Sequence, residues 1–175
     1  MKAVVAGYIA AALALTPEAA KPAPADLCAS DETPVFSCLA GSGVVSVCAP
    51  KAAGGHGLKY RYGKPEKIER ELPGAGGSVE GGTVTYSGGG AAFVRFKADG
   101  YRYTAFIAIG RWSRTLGRAS VKGVFVERAG KVVAALACKT DPGDGLGAEL
   151  FRKLAIPTRS NADADFQIPD QMFPK

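Results

Sequence analysis

The sequence predicts an all-β domain: a small antiparallel β-sandwich or barrel with one short C-terminal helix. Three observations predict it. Short runs of β-branched and aromatic residues recur between glycine-bearing turns, two of those runs alternate cleanly, and all four cysteines lie in the part of the chain that would carry the fold.

Residues 1–25 read as a signal peptide. Met1-Lys2 is a short basic start. Ala3 to Leu15 is an apolar run of about a dozen residues, too short to span a bilayer. Ala23-Pro24-Ala25 then places small residues before a cut at Asp26. Ala25-Asp26-Leu27 is a poor lipobox ahead of Cys28, so no lipid is expected. The expected organisation is a signal peptide at 1–25, one β domain at 26–156 and an extended tail at 157–175. In that tail Pro157, Pro169 and Pro174 argue against helix. No later run is apolar enough for a transmembrane helix, and the expected location is the periplasm.

An even number of cysteines in an exported chain predicts two disulfides. Sequence alone leaves their connectivity open. Reading Cys38 and Cys48 as members of one hairpin favours a Cys38–Cys48 bridge, with Cys28–Cys138 tying the N-terminal arm to the last strand. No C-x2-C pair exists and His56 has no obvious partner, so neither a metal nor another cofactor is expected.

Val35 to Ala40 and Val44 to Cys48 flank Gly41-Ser42-Gly43, a hairpin signal. Residues 58–62 alternate, with Leu58, Tyr60 and Tyr62 on one face and Lys59 and Arg61 on a solvated one. Ile68 to Leu72 reads as the continuation of that strand, and Pro73 to Gly82 as a glycine-rich loop. Thr83 to Tyr86 and Ala91 to Lys97 are strands on either side of a break at Gly88 to Gly90. Asp99-Gly100 is a tight-turn signal before Tyr101 to Ile109. Ser120 to Glu127 and Lys131 to Cys138 flank Ala129-Gly130. Leu146 to Leu154 is the helix candidate.

Phe36-Ser37-Cys38, Val45-Ser46-Val47-Cys48 and Gly57-Leu58-Lys59-Tyr60-Arg61-Tyr62-Gly63 together resemble a group of small exported, disulfide-containing β proteins of proteobacteria with no established activity. The resemblance implies periplasmic residence and a β fold, and it assigns no catalytic residue. In architecture only, the chain is similar to periplasmic lysozyme inhibitors; it lacks their short inhibitory loop signature.

The net charge is +6. Residues 95–131 concentrate it: Arg95, Lys97, Arg102, Arg111, Arg114, Arg118, Lys122, Arg128 and Lys131 stand against Asp99 and Glu127. At the centre is a loop, Gly110 to Arg118, in which the single tryptophan, Trp112, sits among Arg111, Arg114 and Arg118. Arginine matches planar anions bidentately and stacks on aromatic rings. The loop therefore reads either as a site for an anionic envelope component or acidic protein, or as a solvated sheet end with Trp112 folded onto the core. Tyr60 and Tyr62, with Tyr101 and Tyr103, read either as a binding face or as cross-strand packing.

Chemistry is sparse. There is no G-x-S-x-G, no S-x-x-K and no nucleotide-binding glycine loop. His56, in Gly54-Gly55-His56-Gly57, has no recognised catalytic spacing. No nucleic-acid-binding motif is present, and no nucleic-acid partner is expected. The expected function is non-enzymatic binding through the basic Trp/Arg loop. The alternatives are an inhibitor of a cell-wall hydrolase such as lysozyme, which the basic charge disfavours, and a hydrolase using His56.

Overall fold

A computed structural model describes residues 26–52, 57–74, 78–86, 88–113, 117–159 and 166–173. The chain forms a two-sheet sandwich, not a closed barrel. The first sheet has four antiparallel strands in sequence order: β1 (Glu32–Ala40), β2 (Gly43–Pro50), β3 (Lys59–Lys64) and β4 (Lys67–Pro73). The second has six: β5 (Val79–Tyr86), β6 (Gly89–Ala98), β7 (Tyr101–Ser113), β8 (Gly117–Arg128) and β9 (Lys131–Ala137), with the two-residue β10 (Thr158–Arg159) parallel to β5 at one edge. Among the described residues the one α-helix, α1 (Ala148–Lys153), falls within the predicted segment and sets Phe151 over Gly81. Among the described residues no helix is long and apolar enough to cross a membrane.

The tight turns are where the sequence placed them. Asp99 and Gly100 have φ of 53° and 77°, and Ala129 and Gly130 have 49° and 74°. Two successive positive φ values match the right-handed twist of the flanking strands. Other boundaries move. Residues 67–73 do not continue β3; the chain turns at Pro65-Glu66 and returns as its antiparallel neighbour. Strand β5 begins at Val79, inside the expected loop, and its Gly81 makes room for Phe151. Strand β6 begins at Gly89, inside the expected break.

The core lies between the sheets. Phe36, Val45, Val47 and Tyr60 of the first sheet meet Val94, Phe96, Ala105 and Val124 of the second. A second apolar cluster covers the outer face of the six-stranded sheet: Phe93, Phe106, Ala108, Val121 and Phe125, closed over by Phe166 and Met172. The C-terminal segment, expected as an extended tail, is thus docked. Phe166 stacks on Phe93 at 4.6 Å, and a Cβ at Gly123 would collide with the Met172 methyl.

The disulfides are Cys28–Cys48 and Cys38–Cys138, which corrects the favoured pairing. The reason is register. Ala40 pairs with Gly43, so Cys38 lies opposite Val45 on the core face, while Cys48 lies opposite Pro34 and shares the outer face with Ser46. Three positions along a ladder is about 10 Å, out of disulfide reach even before the opposed directions are considered. Cys38–Cys138 instead joins the two sheets beside an Ala40↔Cys138 bridge.

Candidate functional site

Much of the basic stretch is neutralised within the fold. Glu80, Arg95 and Thr104 lie side by side in one cross-strand row. Arg95 is 1% exposed, 3.0 Å from Glu80, and Glu80 also takes Lys97 and Arg159. Burial works to raise the Glu80 carboxyl, and hydrogen bonds from Lys97 and Arg95 outweigh it, leaving it lowered. Arg102 pairs with Glu127, Lys122 with Asp141, and Arg128 stacks over Tyr101 at 5.0 Å.

Arg61, expected on a solvated face, is 5% exposed. Ser37, Ser46, Arg61 and Glu71 form one cross-strand row on the outside of the first sheet. The N-terminal arm covers it: Leu27 N–H donates to Ser46 Oγ, and Arg61 donates to Glu32, Glu71 and the Leu27 carbonyl. The Arg61 hydrogen bond holds the Glu32 carboxyl down at about 2, against burial that works to raise it. Alternation alone could not find this arginine, because its partners come from three different segments.

Arg111 and Arg118 are different. They face each other directly across β7 and β8, both exposed, and among the described residues neither has an ion-pair partner. The expected loop 110–118 is mostly strand: β7 runs to Ser113 and β8 starts at Gly117. Arg114 and His56 lie outside the described residues. The Arg111 stem passes over Gly88, which leans it toward the turn between β5 and β6.

These arginines mark an overhang. The first sheet covers the inner face of the second only as far as Ala92 and Ile107. Beyond that, Thr83, Thr85, Ile109, Ser120, Arg111 and Arg118 are exposed, Ile109 at 42%. Facing cations alone do not single the place out, since Lys64 faces Lys67 and Arg128 faces Lys131 at other hairpin ends. Trp112, next to Arg111 in sequence, stands on the opposite, outer side of the sheet.

Trp112 sits at a bulge between Arg111 and Ser113 and belongs to the outer apolar cluster. Its indole N–H donates to the Ala119 carbonyl at 2.8 Å, and its ring meets Phe173 at 5.2 Å. The ring nevertheless remains half-buried. It walls a cleft of ~420 Å³ with Val84, Phe166, Ile168 and Phe173, within the size range of about 300–1,000 Å³ usual for small-molecule sites. Trp112 thus leans on the core and also borders open space.

The tyrosines pack against one another and against the core to different depths. Tyr60 is buried, with ring centroids 5.5 Å from Tyr103 and 5.7 Å from Phe96, and burial pushes its hydroxyl well above the usual range. Tyr62 is half-buried against Gly41 and Gly43. Cys28, Glu32 and Cys48 cluster closely enough for a metal, but the two sulfurs are bonded to each other and the carboxylate is held by Arg61. A second cleft, between Arg102, Glu127, Val132 and Asp170, holds one buried carboxylate oxygen, Glu127 Oε2, without a hydrogen-bond partner among the described residues.

No family model, no curated protein and no solved structure matches this chain.

Proposed function

We propose that this chain is a non-enzymatic binding protein of the periplasm that recognises an anionic envelope partner through the overhanging end of its six-stranded sheet. One observation carries the reading: Arg111 and Arg118 stand face to face, exposed and without acidic partners among the described residues, on the uncovered end of the inner sheet face. Like charges directly opposite on a sheet destabilise it. An anion between them removes that cost and gains two charge-assisted hydrogen-bonding groups. Two disulfides and the apolar start of the chain support export.

Heparin, a lipid-free acidic glycan, tests the reading. Wild type is compared with Arg111→Ser/Arg118→Ser and with Lys64→Ser/Lys67→Ser, which removes equal charge from another hairpin end. Binding lost in the first variant and kept in the second is the expected result. Equal weakening in both, or no binding by wild type, rejects the site.

A further inference from the structure

We infer that the cleft between the β8–β9 hairpin and the docked C-terminal segment binds a small primary alkylammonium group, with Glu127 Oε2 accepting its hydrogen bond; the inference stands apart from the anion-binding reading above.

Three glutamates are buried among the described residues, and they differ in how their two oxygens are met. Glu32 receives Arg61 on both oxygens, with Lys59 on one and the Ala29 N–H on the other. Glu80 receives Arg95 on one oxygen and Lys97 and Arg159 on the other. Glu127 receives Arg102 on Oε1 at 2.8 Å, and its Oε2 has no partner among the described residues. A buried carboxylate oxygen without a donor is costly, and Glu127 alone of the three carries that cost.

Glu127 lines a cleft of ~410 Å³ together with Arg102, Phe125, Val132, Ile168 and Asp170. Oε2 itself is buried, and the broad terminal torsion of a glutamate lets the carboxyl turn to meet a donor in the cleft. Two carboxylates, Glu127 and the exposed Asp170, stand there against one guanidinium, that of Arg102. Lys97, the cross-strand neighbour of Arg102 on β6, is held by Glu80. The local balance is therefore negative in a chain whose net charge is +6.

The chemistry of the donor follows. A guanidinium fork needs two acceptor oxygens side by side, and Arg102 already occupies Oε1. A divalent metal needs several oxygens. An ammonium is a compact charge with three donors; one suits Oε2 and leaves others for Asp170. Val132, 41% exposed, with Phe125 and Ile168 supplies apolar wall for a short alkyl stem.

The probes are n-butylammonium, n-butanol and n-butyltrimethylammonium, the last having the charge without an N–H. Binding is read from the methyl resonances of Val132 and Ile168 in wild type. Butylammonium should shift them saturably and bind about tenfold more tightly than either analogue. Glu127→Gln replaces one carboxylate oxygen by an amide and should weaken butylammonium about tenfold. Asp170→Asn, at an exposed position, should weaken it about threefold. No saturable shift with butylammonium overturns the inference. Equal binding of butylammonium and butyltrimethylammonium also overturns it, since that result means charge attraction without a hydrogen bond to Oε2. The wild-type probe series needs no variant, so a Glu127→Gln protein that fails to fold does not protect the idea.

Discussion

Each sheet has an outer face covered by one end of the described chain, and the two covers are held by opposite means. The N-terminal arm lies on the first sheet over a polar row, fastened by Cys28–Cys48, the Leu27–Ser46 hydrogen bond and the hydrogen bonds from Arg61 to the Leu27 carbonyl and from the Ala29 N–H to Glu32. The C-terminal segment lies on the second sheet over an aromatic floor, fastened by Phe166 among Phe93, Phe106 and Phe125 and by Met172 against Gly123. A covalent and hydrogen-bonded cover is directional. An apolar cover is non-directional, and it borders both of the clefts described beside residues 166–173.

The comparison can be broken most severely at the bridge between the sheets. Cys38→Ala/Cys138→Ala opens a cross-link with a sequence separation of 100, and the chain-entropy model gives a loss of about 4–5 kcal/mol. Urea midpoints measure it, and a loss under about 2 kcal/mol would mean the two sheets hold each other without the bond. Phe166→Ala should cost about 3–5 kcal/mol. It should also raise hydrogen exchange at 166–173 while leaving the N-terminal arm protected. Equal loosening of both ends would show that the covers are one cooperative unit.

Glu32→Gln tests the ionic row beneath the N-terminal arm and should cost about 3 kcal/mol, the low end for breaking a buried pair, because Arg61 retains Glu71. Its pH signature is specific. The Glu32 carboxyl sits at about 2 in the folded chain, against an ordinary 4.5. Its contribution is therefore complete above pH 4.5 and is lost as the pH falls toward 2. Wild type should lose stability across that window faster than the variant does; parallel curves would remove Glu32 as the cause. The smallest effect has the opposite sign. Arg118→Glu turns a facing pair of like charges into an attractive one and should stabilise the fold by about 0.2–1 kcal/mol, while ending heparin binding. A variant both less stable and still binding would contradict the account of this pair.

What the sequence disclosed was local. The Asp99-Gly100 and Ala129-Gly130 turns, the alternation at 101–109 and the helix after Gly145 are all short-range signals, and each falls where it was read. The misreadings are long-range. Arg61 looked solvated because Leu27, Glu32 and Glu71, which bury and pair it, come from other segments. The disulfide pairing is partly legible in the sequence. Counting back from a two-residue turn at Gly41-Ser42 sets Cys38 opposite Val45, and that count alone separates it from Cys48. The C-terminal cover also left a trace: Phe166, Ile168, Met172 and Phe173 are a dense apolar set for a tail. For the candidate site, Arg111, Trp112 and Arg118 were legible as neighbours in sequence. The cleft was not, because half of its wall arrives from residues 166–173.

The cysteine connectivity has a consequence for how the chain matures. Numbered from the N-terminus, the first thiol pairs with the third and the second with the fourth. An oxidant that meets the polypeptide as it emerges encounters Cys28 and Cys38 first, and neighbours in that order are the wrong partners. The correct first bond has to skip over Cys38, which must then stay reduced until nearly the whole six-stranded sheet has followed it out. Productive oxidation of such an interleaved pattern depends either on folding that outpaces bond formation or on an isomerase that undoes the early mistake. The yield of native protein should therefore respond to the balance of oxidase and isomerase more than to oxidising power alone.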